Sequence, residues 1–426
     1  MIQYIDALRQ LRASAGERAA NLETETLSLA PAVGRVLSQA IRSSEYLPAF
    51  DNSAVDGFAV VAADLAHASR SQPVELAVAG TIAAGDPPPA PDARDETARR
   101  SPPSTFEIMT GAALPGTPWD SVVKVEEVER IHDPEGRLAR VRFVGPVTPG
   151  EFVRRRGTDI TPDQVIGHAG TRFTRAHVLA AAALGIPAVE VRRRPVIAYL
   201  STGAELVPHD TPSGALRAGG IRNSTAPYLE SALRALGAKV LPLGSCGDDP
   251  AAFTKILADA LENGADAILT TGAVSMGKFD FVPQAAAQLG FQPRFHKVAI
   301  RPGKPIFFAE RGKTVLFGVP GNPVSTAVAL RFFVEPYLRA LQGLAAETPR
   351  TLKLIEPTSK PEGLRCFLKA ETAGIDHAQA RVLSGQASFQ VESLLRANVW
   401  VELPEAGAEF PPGTAVSVWP LELGDR

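Results

Sequence analysis

Residues 314–325 read TVLFGVPGNPVS, in which an apolar run is followed by a turn rich in Gly and Pro and by a helical pattern. A strand, a turn and a helix in this order direct backbone N–H groups and the positive end of the helix toward an anion. A short way upstream, residues 301–305 (RPGKP) supply two cations, Arg301 and Lys304, on another turn. We therefore predict that the two turns hold a phosphate or a small oxyanion.

The sequence around this stretch alternates between strand and helix patterns. Buried-strand patterns occur at residues 196–200, 240–243 and 267–271, and apolar residues at helical spacing lie between them. This alternation predicts a three-layer α/β/α fold, in which helices cover both faces of a mostly parallel sheet. Ligands of such sheets bind at the carboxyl ends of the strands. The loops that begin at Ser201, Cys246, Thr270 and Gly318 are therefore the candidates for a site.

Polar residues cluster in these strand-end loops. Residues 201–205 (STGAE) combine two hydroxyls, a Gly and a carboxylate, although such a cluster also suits an ordinary turn or a helix cap. Residues 270–280 (TTGAVSMGKFD) form a long loop of small residues that ends in a carboxylate, which favours function. In the Asp248-Asp249-Pro250 sequence, Asp249 is the expected helix N-cap, and Asp248 remains able to reach a metal ion.

The other patterns divide the chain into further units. Residues 1–46 and 148–193 read as helical, residues 47–147 as mostly β, and residues 345–426 as the short strands of a small barrel. We predict four domains: a discontinuous helical linker domain of residues 1–46 and 148–193, an inserted β domain of residues 47–147, an α/β domain of residues 194–344 and a C-terminal β-barrel domain of residues 345–426. Residues 86–104, rich in Pro and charge, are the expected exposed loop of the inserted domain.

Composition excludes several classes of protein. A chain of 426 residues is too long for one ordinary core, and a formal net charge of −2 provides no basic field to attract nucleic acid. The two cysteines lie far apart, which argues against a disulfide framework or a cysteine zinc site and fits a reducing cytoplasm. No apolar run approaches the length of a membrane span.

The β unit contains its own candidate segment. Residues 47–58 (LPAFDNSAVDGF) are dense in Asp, Asn and Ser, which either build turns or ligate Mg²⁺ through oxygen. Weaker candidates are residues 108–112 (IMTGA), 125–127 (VEE) and 154–159 (RRRGTD).

These segments, in this order, resemble the MoeA family, the molybdopterin molybdenumtransferases. Nine collinear strings carry the resemblance: FDNSAVDGFAV, IMTGA, RRRGTDI, STGAEL, GDDP, TTGAVSMGKFD, RPGKP, GVPGNPVS and LLRANVWVELP. The resemblance implies the four domains described above. It also implies a homodimer whose active site lies at the subunit interface, between one subunit's α/β domain and the other's inserted β domain.

The resemblance implies a reaction in molybdenum cofactor biosynthesis. The substrates would be adenylylated molybdopterin and molybdate, with Mg²⁺-dependent cleavage of the phosphoanhydride, transfer of molybdenum to the dithiolene and release of AMP. Molybdopterin adenylyltransferase and molybdoenzymes that accept the cofactor would be partners. A non-catalytic molybdopterin-binding or scaffold homologue is the alternative. The adenylyltransferase activity itself is disfavoured by the helical, inserted β and barrel units.

The resemblance also implies the roles of particular residues. The catalytic positions would be Asp56, Thr110, Glu126, Asp159, Glu205 and Asp280. The metal ligands would be Asp56, Glu205, Asp248 and Asp280. Pterin, nucleotide and oxyanion would be held by Ser201, Thr202, Gly203, Thr271, Gly272, Ser275, Arg301, Lys304, Pro320, Gly321, Asn322, Ser325, Arg365 and Ser393.

A few positions depart from the pattern of the family. Ala204 replaces an Asp, Ala273 replaces the second Gly of a Gly pair, and Thr225 replaces an Asn. Since Asp56, Asp159, Glu205 and Asp280 are all retained, the resemblance favours an active enzyme over a scaffold.

Overall fold

The computed structural model describes residues 1–87, 103–274, 281–374 and 376–422. The chain divides into two compact units. The first comprises Met1–Gln39, Ala169–Thr174 and Ala188–Arg426, and the second comprises Ala40–His168 and Arg175–Pro187. The predicted four-domain division is finer than this one and stays a prediction.

A six-stranded sheet forms the centre of the first unit. Its strands, in spatial order, are Lys239–Cys246, Val196–Thr202, Ala267–Thr271, Thr314–Val319, Phe307–Arg311 and Gln292–His296. The first four are parallel, and the last two add antiparallel pairs at one edge. The α-helices that accompany the sheet are Tyr4–Ala19, Thr225–Ala235, Pro250–Glu262, Val282–Gln288, Pro323–Ala329 and Glu335–Leu341, with a π-helical turn at Leu330–Val334.

Helices cover both faces of this sheet. In the strand Val196–Thr202, Ile197 and Tyr199 belong to one buried cluster, whereas Ala198 and Leu200 belong to the other. Successive residues of a strand point to opposite faces, so one strand contributes to two cores. This arrangement confirms the three-layer α/β/α prediction.

The C-terminal part of the first unit is a closed β-barrel. Its strands are Arg350–Leu354, Arg365–Ala373, Gln379–Val382, Val399–Leu403 and Ala415–Pro420. The ring closes because Arg365–Ala373 pairs with both Gln379–Val382 and Val399–Leu403. The short strand Ile300–Arg301 also pairs with residues 365 and 366, which fixes the RPGKP turn beside the barrel. Smaller elements here are the paired strands Thr358–Ser359 and Glu409–Phe410 and the helix Glu392–Arg396.

The second unit is mostly β, as predicted for its central part. Its six-stranded sheet has the spatial order Ser121–Lys124, Gly57–Val60, Ser104–Ile108, Val74–Ile82, Leu138–Phe143 and Val128–His132. Outside the sheet, this unit contains the paired strands Asn52–Ser53 and Val153–Arg154, the paired strands Ile41–Arg42 and Val165–Gly167, the helix Arg175–Ala183 and 3₁₀ turns at Ala62–Leu65 and Val125–Glu127.

The prediction that residues 1–46 and 148–193 are helical is wrong in part. Thr24–Ser28 is a strand paired antiparallel with Ala188–Arg192. Between residues 20 and 46, all of which the structure describes, the helical structure is a single turn at Leu29–Ala32. The pairing joins segments that are far apart in sequence, and strand formation depends on such partners more than on local propensity. The first unit also contains the short strands Leu206–Val207 and Ile221–Arg222 and a 3₁₀ turn at Ser213–Ala215. Within the described ranges, no helix combines the length and apolarity that crossing a membrane requires.

Candidate functional site

The loops at the carboxyl ends of the parallel strands are joined by hydrogen bonds. Gly203 N donates to the carbonyl oxygen of Cys246 (3.0 Å), and Gly272 N donates to that of Val319 (2.9 Å). The Thr202 hydroxyl donates to the Thr271 carbonyl oxygen (2.8 Å). The four predicted loops therefore form one continuous edge of the sheet.

Gly272 allows two of these loops to approach each other closely. Its φ is +88°, and a Cβ added there would lie 2.7 Å from both the backbone oxygen and the hydroxyl of Thr202. A Cβ on Gly321 would lie 3.6 Å from Gly272 Cα, so the GVPGNPVS turn lies directly against the Thr271–Gly272 loop. A side chain at Gly272 would force these loops apart.

Ala273 adopts the left-handed backbone conformation, with φ +51°. This region is strained for residues other than Gly, at a cost of about 1–2 kcal/mol. The departure noted in the sequence, an Ala in place of Gly, thus falls at a position where Gly is favoured.

The GVPGNPVS turn is held from within and from the barrel. The Thr326 hydroxyl donates to the Pro320 carbonyl oxygen (2.7 Å), and Asn322 Nδ2 donates to the Ser388 hydroxyl (3.2 Å). Val324 N also donates to the Ser388 backbone oxygen (3.0 Å). Sequence reasoning missed Ser388, because no periodicity or motif in the barrel strands singles it out.

The RPGKP turn lies against the first turn of the helix Pro323–Ala329. Gly303 has φ +101°, and a Cβ there would lie 3.7 Å from the backbone oxygen of Ser325. Arg301 and Lys304 are exposed, and neither forms an ion pair with any described residue. Their two positive charges thus remain available beside the turn, as the anion-site prediction requires.

Arg365 and Ser393 have partners inside the barrel. The Arg365 guanidinium donates to both carboxylate oxygens of Glu405 (3.0 and 2.7 Å) and also pairs with Glu402. The buried Ser393 hydroxyl donates to the Gly385 carbonyl oxygen (2.7 Å). These contacts give both side chains a structural role, and their predicted contact with an oxyanion stays a prediction.

Two predicted acidic positions of the first unit lie on neighbouring loops. Glu205 folds its carboxylate back over Gly203, whose added Cβ would lie 2.5 Å from Glu205 Oε2, and Asp248 is exposed on the next loop. Asp249 accepts hydrogen bonds from Ala251 N (2.9 Å) and Ala252 N (3.2 Å), with Pro250 in the first helical position. The prediction that Asp249 is a helix N-cap is thereby confirmed.

Two buried hydroxyls at this edge of the sheet have no hydrogen-bond partner in the part of the chain that the structure describes. They belong to Ser201 and Thr270, which lie near the ends of two adjacent strands. Buried polar groups are almost always hydrogen-bonded, so these two leave hydrogen-bonding capacity beside the strand-end loops.

The second unit brings three predicted residues to one place. Asp56 Oδ1 accepts hydrogen bonds from both the backbone N and the hydroxyl of Thr110 (2.7 Å each). These bonds, the one from the hydroxyl first, lower the pKa of the exposed Asp56 carboxyl. Val125 N donates to the Asp56 backbone oxygen (3.1 Å), which places the exposed Glu126 next in the chain to this contact. Asp56 is therefore an anchored, ionised carboxylate.

Asp159 lies on a separate turn of the second unit. Its backbone N donates to the Leu47 carbonyl oxygen (3.0 Å), and its side chain is exposed. The same turn is fixed by an ion pair of 2.8 Å between Arg155 and Asp51. Among the described residues, no hydrogen bond joins Asp159 to Asp56, so a shared role for the two stays a prediction.

The predicted metal ligands do not form a cluster in the described ranges. Within them, no group of three or more His, Cys, Asp or Glu residues is close enough to hold a metal ion. Asp280, a predicted ligand, and Ser275, a predicted substrate contact, lie outside the described residues. The full ligand set therefore stays a prediction.

Family models match most of the chain. The MoeA N-terminal region (domain I and II) matches residues 2–185, and a probable molybdopterin binding domain matches residues 198–340. The molybdopterin molybdenumtransferase of Synechococcus elongatus is 37% identical over 400 residues, which cover 93% of this chain and 94% of that protein. Molybdopterin molybdenumtransferase 2 of Mycobacterium tuberculosis is 35% identical over 405 residues, with 93% and 95% covered.

A solved structure shares the fold over nearly the whole length. The molybdopterin biosynthesis MoeA protein from Pyrococcus horikosii superposes with a TM-score of 0.78 at 28% identity, covering 97% of this chain and 99% of that one. Sequence and structure comparisons thus agree over both units.

Proposed function

The chain belongs to the MoeA family, and from this membership we propose that it acts in molybdenum cofactor biosynthesis as a molybdopterin molybdenumtransferase. In the proposed reaction, molybdate is inserted into adenylylated molybdopterin, the phosphoanhydride is cleaved with Mg²⁺, and AMP is released.

One observation carries the proposal: two cations that form no ion pair with any described residue lie on a turn beside a glycine-rich turn, which is fixed to the carboxyl edge of a parallel sheet. Gly303, between Arg301 and Lys304 in the chain, lies beside Ser325 in the first turn of the helix Pro323–Ala329, and Gly272 allows the GVPGNPVS turn to contact the neighbouring loop. Backbone N–H groups and cations in such a place suit phosphate oxygens and molybdate. We assign oxyanion binding to this part of the edge.

The residues present suit a magnesium ion. Mg²⁺ retains several waters and takes one or two protein carboxylates together with phosphate oxygens of the substrate. Glu205 and Asp248 supply two carboxylates on loops that are joined by the hydrogen bond from Gly203 to Cys246. When bound, the ion would neutralise charge that develops on the phosphate oxygens. Glu205 and Asp248 are the described residues of the first unit that would hold it, and Asp280 is the further predicted ligand.

Asp56 would act as an ionised carboxylate at neutral pH. The two hydrogen bonds from Thr110 use one of its oxygens and favour the charged form, which leaves the second oxygen for a ligand or a proton. Thr110 would thus position Asp56. Glu126 would add a second negative charge at the same place.

Release of AMP tests the proposal directly. The purified chain would be incubated with adenylylated molybdopterin, molybdate and Mg²⁺, and AMP would be quantified alongside inserted molybdenum. We expect turnover by the unmodified chain and its loss in Asp56→Ala, Asp280→Ala and Lys304→Ala. Arg311→Ser serves as the matched control, because it removes an exposed cation that pairs in register with Thr314, at the edge of the sheet opposite the strand-end loops.

The outcomes separate the enzyme from the alternative scaffold. A non-catalytic homologue would bind molybdopterin but release no AMP at any enzyme concentration. Unchanged turnover in both aspartate variants would refute the assigned roles even if the unmodified chain were active. Circular dichroism of each variant shows whether a loss of activity reflects unfolding.

We also propose that the chain acts as a homodimer with its active site at the subunit interface. If the catalytic residues of one site come from two subunits, inactive Asp56→Ala and Lys304→Ala chains would complement each other when mixed. At equal mixing, about half of the dimers are mixed, and each mixed dimer contains one site without either change and one site with both. AMP release should therefore return to about a quarter of the unmodified level. Continued inactivity of a mixture that forms mixed dimers would refute this arrangement.

A further inference from the structure

Six arginines line a cavity in the first unit. The cavity has a volume of about 150 Å³ and contains Arg35, Arg172, Arg192, Arg193, Arg194 and Arg234. None of the described residues that line it is acidic. Since the formal net charge of the chain is −2, this grouping of positive charge is local and does not follow from composition.

The cavity lies away from the strand-end loops of the candidate site. Arg193 and Arg194 directly precede the strand Val196–Thr202, and Asp266, the partner of Arg193, directly precedes the strand Ala267–Thr271. They therefore lie at the amino ends of the parallel strands, whereas the candidate site lies at the carboxyl ends. A ligand here would occupy a separate site.

The positive charge of the cavity is only partly neutralised. Ion pairs join Arg35 to Glu25, Arg193 to Asp266 and Glu23, and Arg234 to Glu230, all of them carboxylates outside the lining. Arg192 and Arg194 form no ion pair with any described residue. Arg192 donates through Nη1 to the Ala19 carbonyl oxygen (2.6 Å), and its buried Nε has no acceptor in the described ranges. An anion in the cavity would supply negative charge opposite these guanidinium groups.

A structural explanation accounts for part of the cluster. The helix Thr225–Ala235 ends at this cavity, and cations are favoured near the partly negative end of a helix. That effect explains Arg234. It does not explain Arg192, which is placed by the strand Ala188–Arg192 and forms no ion pair with any described residue.

The size and chemistry of the cavity specify the class of ligand. Guanidinium groups bind phosphate oxygens in a bidentate manner, and several of them around one cavity favour a multiply charged anion. Pockets for drug-sized molecules start at about 300 Å³, so a cavity of about 150 Å³ suits a compact ion. Gly237 helps to keep the space open, because a Cβ there would lie 3.4 Å from Gln342 Oε1 and 3.8 Å from Arg172 Nη1. We propose that this arginine cavity binds a compact phosphate-class anion, with pyrophosphate preferred over phosphate because of its higher charge.

Calorimetric titration with pyrophosphate and with inorganic phosphate tests the proposal. The titrations use the full chain carrying Lys304→Ala, at constant ionic strength, so that the oxyanion region proposed above is already disabled. The test variant adds Arg194→Ser and Arg234→Ser, both at exposed positions. The matched control adds Arg311→Ser and Arg396→Ser, which remove the same charge at exposed positions outside the cavity.

We expect one pyrophosphate per chain in the Lys304→Ala background, with weaker binding of phosphate. The dissociation constant should rise about tenfold or more in the cavity variant and less than about twofold in the control, since tenfold corresponds to about 1.4 kcal/mol. Equal weakening in both variants would show general electrostatic attraction and overturn the proposal. Absence of pyrophosphate binding in the Lys304→Ala background would overturn it as well.

Discussion

Replacement of Gly272 by Ala tests whether close approach of the strand-end loops holds the candidate site together. Gly264→Ala is the matched control, because Gly264 has a similar φ of +74° but no atom within 4 Å of an added Cβ. In Gly264→Ala, the left-handed backbone destabilises the folded state by about 1–2 kcal/mol. Alanine also lowers the conformational entropy of the unfolded chain, which offsets about 0.4–1 kcal/mol of that strain. We therefore expect Gly264→Ala to lower the free energy of unfolding by about 1 kcal/mol or less.

Gly272→Ala adds a steric conflict to the same backbone strain. The new Cβ would lie 2.7 Å from two atoms of Thr202, whose hydroxyl is hydrogen-bonded to Thr271. Displacing Thr202 loses that bond, worth about 0.5–1.5 kcal/mol, and strains the packed loop. The expected loss is about 2–3 kcal/mol, or roughly 1–2 kcal/mol more than in the control.

Urea unfolding followed by circular dichroism measures both variants. The variant Thr202→Ala lacks the hydroxyl, which is one of the two Thr202 atoms that the new Cβ would meet. In that background, Gly272→Ala should therefore lower the free energy of unfolding by less. AMP release should drop in Gly272→Ala and persist in Gly264→Ala. An equal loss of stability in the two variants, with no coupling to Thr202, would refute the argument that loop contact at Gly272 matters.

Three further outcomes follow from particular contacts. Asp249→Ala should lower the free energy of unfolding by about 1 kcal/mol through loss of the helix cap, whereas Asp248→Ala should leave it unchanged in the same urea titration. Ala273→Gly should raise it by about 0.5–1 kcal/mol, because Gly relieves the strain at φ +51°; a destabilised variant would contradict this reading. Thr110→Val should raise the pKa of Asp56 toward its ordinary value of 3.8, as followed by carboxyl NMR. Folding lowers the pKa of Asp56, so the stabilisation from these two bonds is fully present above the ordinary pKa of the carboxyl. It is lost as the pH falls through the lowered pKa of the folded state. The valine variant should therefore lose less stability than the unmodified chain upon acidification.

The sequence predicted the elements whose signals are local. The strand Ala267–Thr271 has the predicted bounds, because a short apolar run between turn residues identifies a buried strand. Asp249 was also predictable, since Asp followed by Pro at a helix start has one common use. Thr24–Ser28 was not, because its partner Ala188–Arg192 lies in a distant part of the chain.

The residues of the candidate site also differ in how far the sequence alone could predict them. Gly272 and Gly321 belong to motifs that the sequence displays, and the structure adds that they are in contact. The resemblance also implies an oxyanion contact for Arg365, yet its charge is directed to Glu402 and Glu405, which no local pattern could indicate.

Ser388 shows why the remaining part of the site required a structure. It is one serine among several in a barrel segment, and nothing in its neighbours distinguishes it from a turn residue. Its hydroxyl and its backbone oxygen both accept hydrogen bonds from the GVPGNPVS segment, through Asn322 and Val324. Asn322 therefore uses its side chain toward the barrel instead of capping its own helix, for which no side-chain cap bond is formed. The turn that the sequence presents as a local anion motif is thus oriented by the barrel, and a change at Ser388 would act on the oxyanion region through Asn322.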